Sequence, residues 1–289
     1  MEMFAVTGIT GQVGGAVAEH LLATGQPVRA IVRNGERGER WRERGCEIAI
    51  VPDASDASAL AEAINGTRGV FLMNPPNYDP EPNFPDTRRV AAAFVEALGQ
   101  SRPDRAVFLS TVGAQVERFN LLNNGRIIER ALRECAVPTA LLRPAWFLEN
   151  AAWDVPAARQ GRIESYLQPL DHSIDMVAVD DIGRVTVELL GETWDGLRIV
   201  ELRGPAKVSG RDIADAFGRA LGRTIEASIV PRDSWEVRFR SQGMKHPEGR
   251  IAMLDGFNQD WIVFQGDGAE QRTGSTSLDD VVGALVARP

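Results

Sequence analysis

The apolar positions in the first 150 residues follow two alternating periods. Short unbroken apolar runs, as in strands buried on both faces, alternate with stretches whose apolar residues recur every three or four positions, as in one-sided helices. Residues 4–7, 27–33, 47–51, 69–74, 106–110 and 139–143 read as six strands. Between them lie a helix through Val13, Val17 and Leu21, a short charged one at 39–44, one through Leu60 and Ile64 capped by Asp56, and longer ones at 86–98 and 122–135. Asn123, Asn124 and Gly125 favour caps and turns and are expected to delay the start of the last helix. A loop with five prolines, 75–85, precedes the 86–98 helix. Strand–helix alternation predicts a parallel sheet covered on both faces. Right-handed crossovers make it a doubly wound α/β fold.

After Asn150 the alternation weakens. An apolar segment at 174–179, a helix opened by Asp180 and Asp181, a strand at 197–202, a helix capped by Ser209 and a strand at 225–230 follow. The expected layout is a Rossmann domain over 1–150 and a smaller α+β substrate lobe beyond it.

Composition adds exclusions. With 289 residues and 44% hydrophobic content, the chain can bury a sizeable core. A net charge of −8 argues against general binding to nucleic acid or an anionic membrane. No apolar run approaches the ~20 residues that cross a bilayer. Cys46 and Cys135 fit no metal or redox spacing and read as buried reduced thiols. The expectation is a cytoplasmic protein, monomer or homodimer, that works on a small molecule and holds no metal.

The stretch 6–15, VTGITGQVGG, sits between the first strand and the first helix. In that context glycines let backbone approach a dinucleotide pyrophosphate, and the helix N-terminus adds free N–H groups and a positive dipole end. Gly8, Thr10, Gly11, Gln12 and Val13 are the expected contacts. Sites for NAD place an acid at the end of the second strand, whereas a nearby Arg accommodates the 2′-phosphate of NADP. Arg33 stands there, so the expected cofactor is NADP(H). The ends of later strands line the same crevice: Asp53 and Ala54 near the adenine, then Met73, Asn74 and Pro75, then Ser110 and Thr111, then Pro144, Ala145, Trp146 and Phe147.

These motifs resemble the short-chain dehydrogenase/reductase superfamily. Within it, the chain is similar to the atypical NmrA-like branch, which includes NADPH-dependent quinone and azo-dye reductases and redox-sensing regulators. Residues 7–14, 32–34, Asp53 with Asp56, 109–114, Glu129, 142–150 and 179–183 carry the resemblance. It implies that NADPH lies over the strand ends and that residues 144–150 flank the nicotinamide. It also implies that 171–202 return to the main sheet, which leaves 151–170 and 203–289 as the lobe.

The main reductase branch uses a Tyr followed four positions later by a Lys. Here Tyr78 is followed at that spacing by Pro82 and Tyr166 by Leu170, and the only lysines are Lys207 and Lys245. Many NmrA-like proteins keep a Lys four positions before a Glu on the helix after the fifth strand. Glu129 matches that Glu, but Gly125 occupies the Lys position, with Arg126 as a partial substitute. His20, His172 and His246 offer no evident base, and Asp180-Asp181 reads as a helix cap. Two functions remain. One is a reductase that passes hydride to a quinone-like acceptor, which takes its proton from water, meets Asn150 and stacks on Trp146, Phe147 and Trp153, with Tyr78 or Phe84 from the proline-rich loop. The other is a cofactor-binding sensor without turnover. An epimerase or dehydratase is a weaker third, because that branch relies on the same Tyr-Lys pair.

Overall fold

The computed structural model describes residues 2–288. The first part alternates as expected: β1 (Phe4–Val6), α1 (Gln12–Ala23), β2 (Val28–Val32), α2 (Gly35–Glu43), β3 (Glu47–Ile50), α3 (Ala57–Ile64), β4 (Gly69–Met73), α4 (Pro85–Ser101), β5 (Arg105–Leu109), α5 (Asn123–Leu132) and β6 (Thr139–Pro144). Then come β7 (Trp146–Phe147), a 3-10 turn (Leu148–Asp154), α6 (Val155–Ala158), β8 (Arg162–Ser165), β9 (Ser173–Val177), α7 (Val179–Gly191) and β10 (Leu197–Arg203). The chain ends with β11 (Lys207–Ser209), α8 (Gly210–Leu221), β12 (Glu226–Ile229), α9 (Trp235–Ser241), α10 (Glu248–Asn258), β13 (Glu270–Thr273) and α11 (Leu278–Ala287).

Eight strands form one sheet in the order β13-β10-β6-β5-β4-β1-β2-β3, with every neighbouring pair parallel. Alternate strand residues serve the two faces. Val6, Phe71 and Leu142 point to the layer that holds Val17, Leu21, Ile182 and Leu189 of α1 and α7. Ala5, Leu72, Phe108 and Leu141 point to the layer that holds Leu60, Ile64, Phe94, Leu98 and Ile128 of α3, α4 and α5. Both faces are dry, which is why these strands read as unbroken apolar runs. The strand order reverses between β1 and β4, the switch point at which doubly wound sheets bind ligands beyond the carboxyl ends.

The structure departs from expectation in three places. β10 joins the main sheet, but β9 pairs with β7 and β11 in a separate three-stranded sheet. β13, from the segment expected in the lobe, pairs with β10 at the sheet edge. Its sequence, Glu-Gln-Arg-Thr, has no apolar signature because an edge strand tolerates charge; Arg272 and Glu270 pair there with each other and with Glu192 and Arg198. Finally, α5 starts at Asn123 with no delay. Asn120 and Asn123 spend their side chains on the preceding loop, and Gly125 lies buried against Thr111.

Candidate cofactor crevice and substrate cleft

Gly8 takes a left-handed φ of 63°, which a glycine adopts without strain. Gly14 is needed for contact: a Cβ there would lie 2.4 Å from the Gly8 carbonyl oxygen. Gly11 is different. Its backbone is extended at φ −94°, which any residue adopts, and an added Cβ would meet only the Gly8 oxygen, at 3.3 Å. Conformation does not demand a glycine here, and the outer side of the turn is open to an approaching ligand. The same residue is the N-cap of α1, has no side chain to cap the first turn, and is followed by no acid in that turn. The first N–H groups of α1 therefore remain for an anion. These features fit a dinucleotide pyrophosphate.

Thr10 and Gln12 are exposed beside this turn, while the Val13 side chain packs into the core, leaving only its backbone for a ligand. Met73 covers Gly8: a Cβ on Gly8 would strike its sulfur at 2.2 Å. Asn74 and Pro75 continue from Met73 along the crevice, half-buried. Arg33 is exposed at the end of β2 and, like Arg37, has no carboxylate partner among the described residues. Asn34 caps α2 by accepting from the Arg37 N–H at 3.0 Å. Asp53 turns its carboxylate onto the Ser55 N–H and hydroxyl, both at 2.8 Å, and these donors hold its pKa below the usual range. Ala54 is half-buried beside it.

Ser110, expected in the crevice, is turned away from it. Its hydroxyl donates to Glu129 Oε1 at 2.5 Å, and Glu129 holds Arg143 through two bonds of 2.7 and 2.6 Å. Arg143 also lies 3.7 Å from Glu201. This buried network ties β5, β6 and β10 together, which gives Glu129 and Arg143 a structural role. The Arg126 guanidinium, next to the position of the missing Lys, pairs with Glu117. His20 binds Asp180, and His172 binds the Phe257 carbonyl at 3.0 Å. Asp181 is no acid/base partner: it accepts from the Ser275 and Thr276 N–H groups, which outweigh burial and lower its pKa. Cys46 is buried, but Cys135 is only half so.

Beyond the ends of β5 and β6 a cleft of about 1210 Å³ opens toward the lobe. Thr111, Ala145, Trp146, Phe147 and Asn150 line its sheet side, whereas Pro144 is buried in β6 beneath it. Trp146 sets its ring edge-on to Phe257, 5.1 Å between centroids. Tyr78, from the proline-rich loop, meets Trp153 edge to face at 6.3 Å, and both stay more than half exposed. An exposed aromatic pair at a cleft is a ready stacking surface for a flat molecule. Asp79 anchors the loop by accepting from the Lys245 and His246 N–H groups at 2.7 and 2.6 Å. Phe84 does not belong to the cleft: it is buried against Phe119, outside the cleft wall, and precedes α4.

The far wall escaped the sequence reading. It is built from Asp154, Arg162, Glu164, Tyr166, Arg238, Arg250 and Phe257, on β8, α9, α10 and short turns that carry no motif. Arg238 pairs with Glu164 at 2.9 Å. Asp154 has no cation beside it among the described residues, and burial pushes its pKa up to about 6. Glu149, whose pKa burial also raises, faces elsewhere and accepts the Val179 N–H at 2.9 Å.

A doubly wound sheet with a bare helix N-terminus at its switch point defines the class of dinucleotide-binding α/β proteins. Residues 2–242 match the NmrA-like family, and the chain belongs to it. It is 32% identical to a (4-alkanoyl-5-oxo-2,5-dihydrofuran-3-yl)methyl phosphate reductase from Streptomyces griseus, over 77% of this chain and 75% of that one. It is 23% identical to an NAD(P)H azoreductase from Xenophilus azovorans, over 89% and 85%. The fold matches an NADPH-dependent quinone oxidoreductase from Escherichia coli, solved with NADPH, with a TM-score of 0.78, 22% identity and coverage of 98% and 99%. Among the described residues, no helix is long and apolar enough to cross a membrane.

Proposed function

We propose that this chain is an NADPH-dependent reductase that delivers hydride to a flat conjugated acceptor, a quinone or enone-like small molecule. The observation that carries the reading is the pairing of an open glycine turn at Gly11 with the aromatic cleft beyond β5 and β6. The named relatives support it, because each reduces a conjugated system. When bound, NADPH supplies the hydride. The chain supplies the rest: the Gly8–Val13 turn receives the pyrophosphate, Arg33 the 2′-phosphate, and Tyr78, Trp146 and Trp153 the acceptor ring. A conjugated acceptor leaves its electron pair on an oxygen that water or a single acid can protonate. Asp154 is the cleft acid without a cation partner among the described residues, so no Tyr-Lys pair is required. The test is NADPH consumption by purified protein with quinones, azo dyes, conjugated lactones and simple ketones. Turnover of flat acceptors is expected. Simple ketones should stay below a kcat/KM of about 10⁴ M⁻¹s⁻¹. No turnover of any flat acceptor, or efficient ketone reduction, would overturn the reading.

The cofactor preference has its own test. A charge-assisted bond from Arg33 to the 2′-phosphate is worth about 1.5–3 kcal/mol, or about ten- to a hundredfold. Arg33→Ala should weaken NADPH by that factor and leave NADH nearly unchanged in titrations at fixed ionic strength. An unchanged NADPH/NADH ratio would mean that Arg33 stays in solvent.

A further inference from the structure

Arg250 is the half-buried basic group of the cleft that has no carboxylate partner among the described residues. It rises from α10 into the cleft wall, half-buried, with Phe239 and Trp153 rings 4.5 and 5.9 Å from its guanidinium carbon. Among the described residues its one hydrogen-bonding contact is weak, to the Met244 sulfur at 3.8 Å. No carboxylate lies within ion-pairing distance of it among the described residues. Arg238 is neutralised by Glu164, and Arg232 and Arg240 by Asp255, Glu236 and Glu248. Arginine keeps its charge in proteins, so a half-buried guanidinium beside two rings has no neutral form to fall back on. Burial works against that charge, pulling its pKa below the ordinary value. A half-buried cation without a counter-charge is costly unless something outside the chain supplies one. Here the aromatic rings beside the guanidinium offer it no counter-charge, and the residue lines the open cleft.

We propose that Arg250 forms an anion subsite in the cleft, so that the natural acceptor is a flat conjugated molecule bearing a phosphate or carboxylate arm. The inference rests on the reductase reading for the acceptor half and stands on Arg250 for the anionic half. Arg162, exposed on the same wall and free of a carboxylate partner, adds a second positive charge nearby. The subsite is separate from the 2′-phosphate position: Arg33 lies at the end of β2, and the wall that carries Arg250 belongs to the lobe.

The test uses phenyl phosphate and benzoate as probes, titrated against the full-length protein by calorimetry, with and without saturating NADP⁺. Binding that persists under NADP⁺ is expected, with phenyl phosphate and benzoate reporting which anion fits better. Arg250→Gln should lower the affinity of the better probe about 10- to 100-fold, and Arg250→Lys should recover part of it. In turnover, a quinone with an anionic arm should outperform its neutral parent, and that advantage should shrink toward one in Arg250→Gln. If neither probe binds wild type, if NADP⁺ displaces both, or if Arg250→Gln binds them equally well, the subsite does not exist. Probe binding that survives in a protein without reductase turnover supports the subsite and overturns only the reductase reading.

Discussion

Gly11→Val is expected to fold with a near-normal melting temperature and to lose NADPH affinity by at least a hundredfold. Gly14→Ala, three residues on, should do the reverse kind of damage. The two differ in what an added carbon meets. At Gly14 it would press within 2.4 Å of the Gly8 carbonyl oxygen and 2.7 Å of that of Thr7, so the turn must move before the chain can close. Overpacking of that kind typically costs about 1–3 kcal/mol, which should appear as a lower melting temperature. At Gly11 only the Gly8 oxygen is near, at 3.3 Å, a contact that small adjustments relieve. The extended backbone of Gly11 accommodates a β-branched residue without left-handed strain. What the valine fills is the ledge over the first turn of α1, where phosphate oxygens must reach the free N–H groups. Thermal unfolding and calorimetric titration of both variants separate the two effects. NADPH binding at wild-type strength by folded Gly11→Val would mean that the cofactor lies elsewhere, and the reductase reading would lose its foundation.

The glycine turn and the strand ends proposed to hold the cofactor were legible in the sequence because their constraints are local. Glycines at 8, 11 and 14 answer to each other and to a ligand within one turn, and Arg33 is placed by the length of one βαβ unit. The six core strands were legible for the same reason: burial on both faces leaves an unbroken apolar run. The far wall of the cleft was not, since Asp154, Arg238 and Arg250 reach it from a 3-10 turn and two helices whose spacing is set only by tertiary packing. Trp235 and Phe239 are fully buried and hold α9 and α10 in place, yet in the sequence they look like any amphipathic pair. Phe84 and Ser110 went astray through a shared cause. Both adjoin crevice-lining segments, and a side chain's direction at the end of an element follows local turn geometry rather than period. Phe84 folds back against Phe119, and Ser110 points inward to satisfy the buried Glu129. Glu129 itself, together with Arg143, shows that a family motif can mark an internal tie between strands as well as a reactive group.

Asp154→Asn should stabilise the protein at pH 8 and leave it unchanged at pH 4. The carboxyl has an ordinary value of 3.8 and is pushed up to about 6 in the folded chain by burial alone, with no cation to offset it. Folding therefore favours the protonated form. The stabilisation that goes with it is fully present below about pH 4, fades as pH rises through 6, and is absent above that. Asparagine mimics the neutral acid in shape and cannot ionise, so the variant keeps that stabilisation at every pH. A shift from 3.8 to about 6, at about 1.36 kcal/mol per unit, sets the gain at pH 8 at about 3 kcal/mol at most, and residual solvent contact reduces it. Denaturant unfolding of wild type and variant at the two pH values measures the difference directly. A group that costs stability at neutral pH and faces a cleft is the kind that activity, rather than folding, retains. The rate should then move the other way. If the protonated acid delivers a proton to the acceptor oxygen, wild-type turnover declines as pH rises through about 6, and Asp154→Asn turns over slowly with no such decline. A stability gain independent of pH would place the effect in packing. A wild-type pH–rate profile retained by the variant would assign the proton to water and leave Asp154 without a part in the reaction.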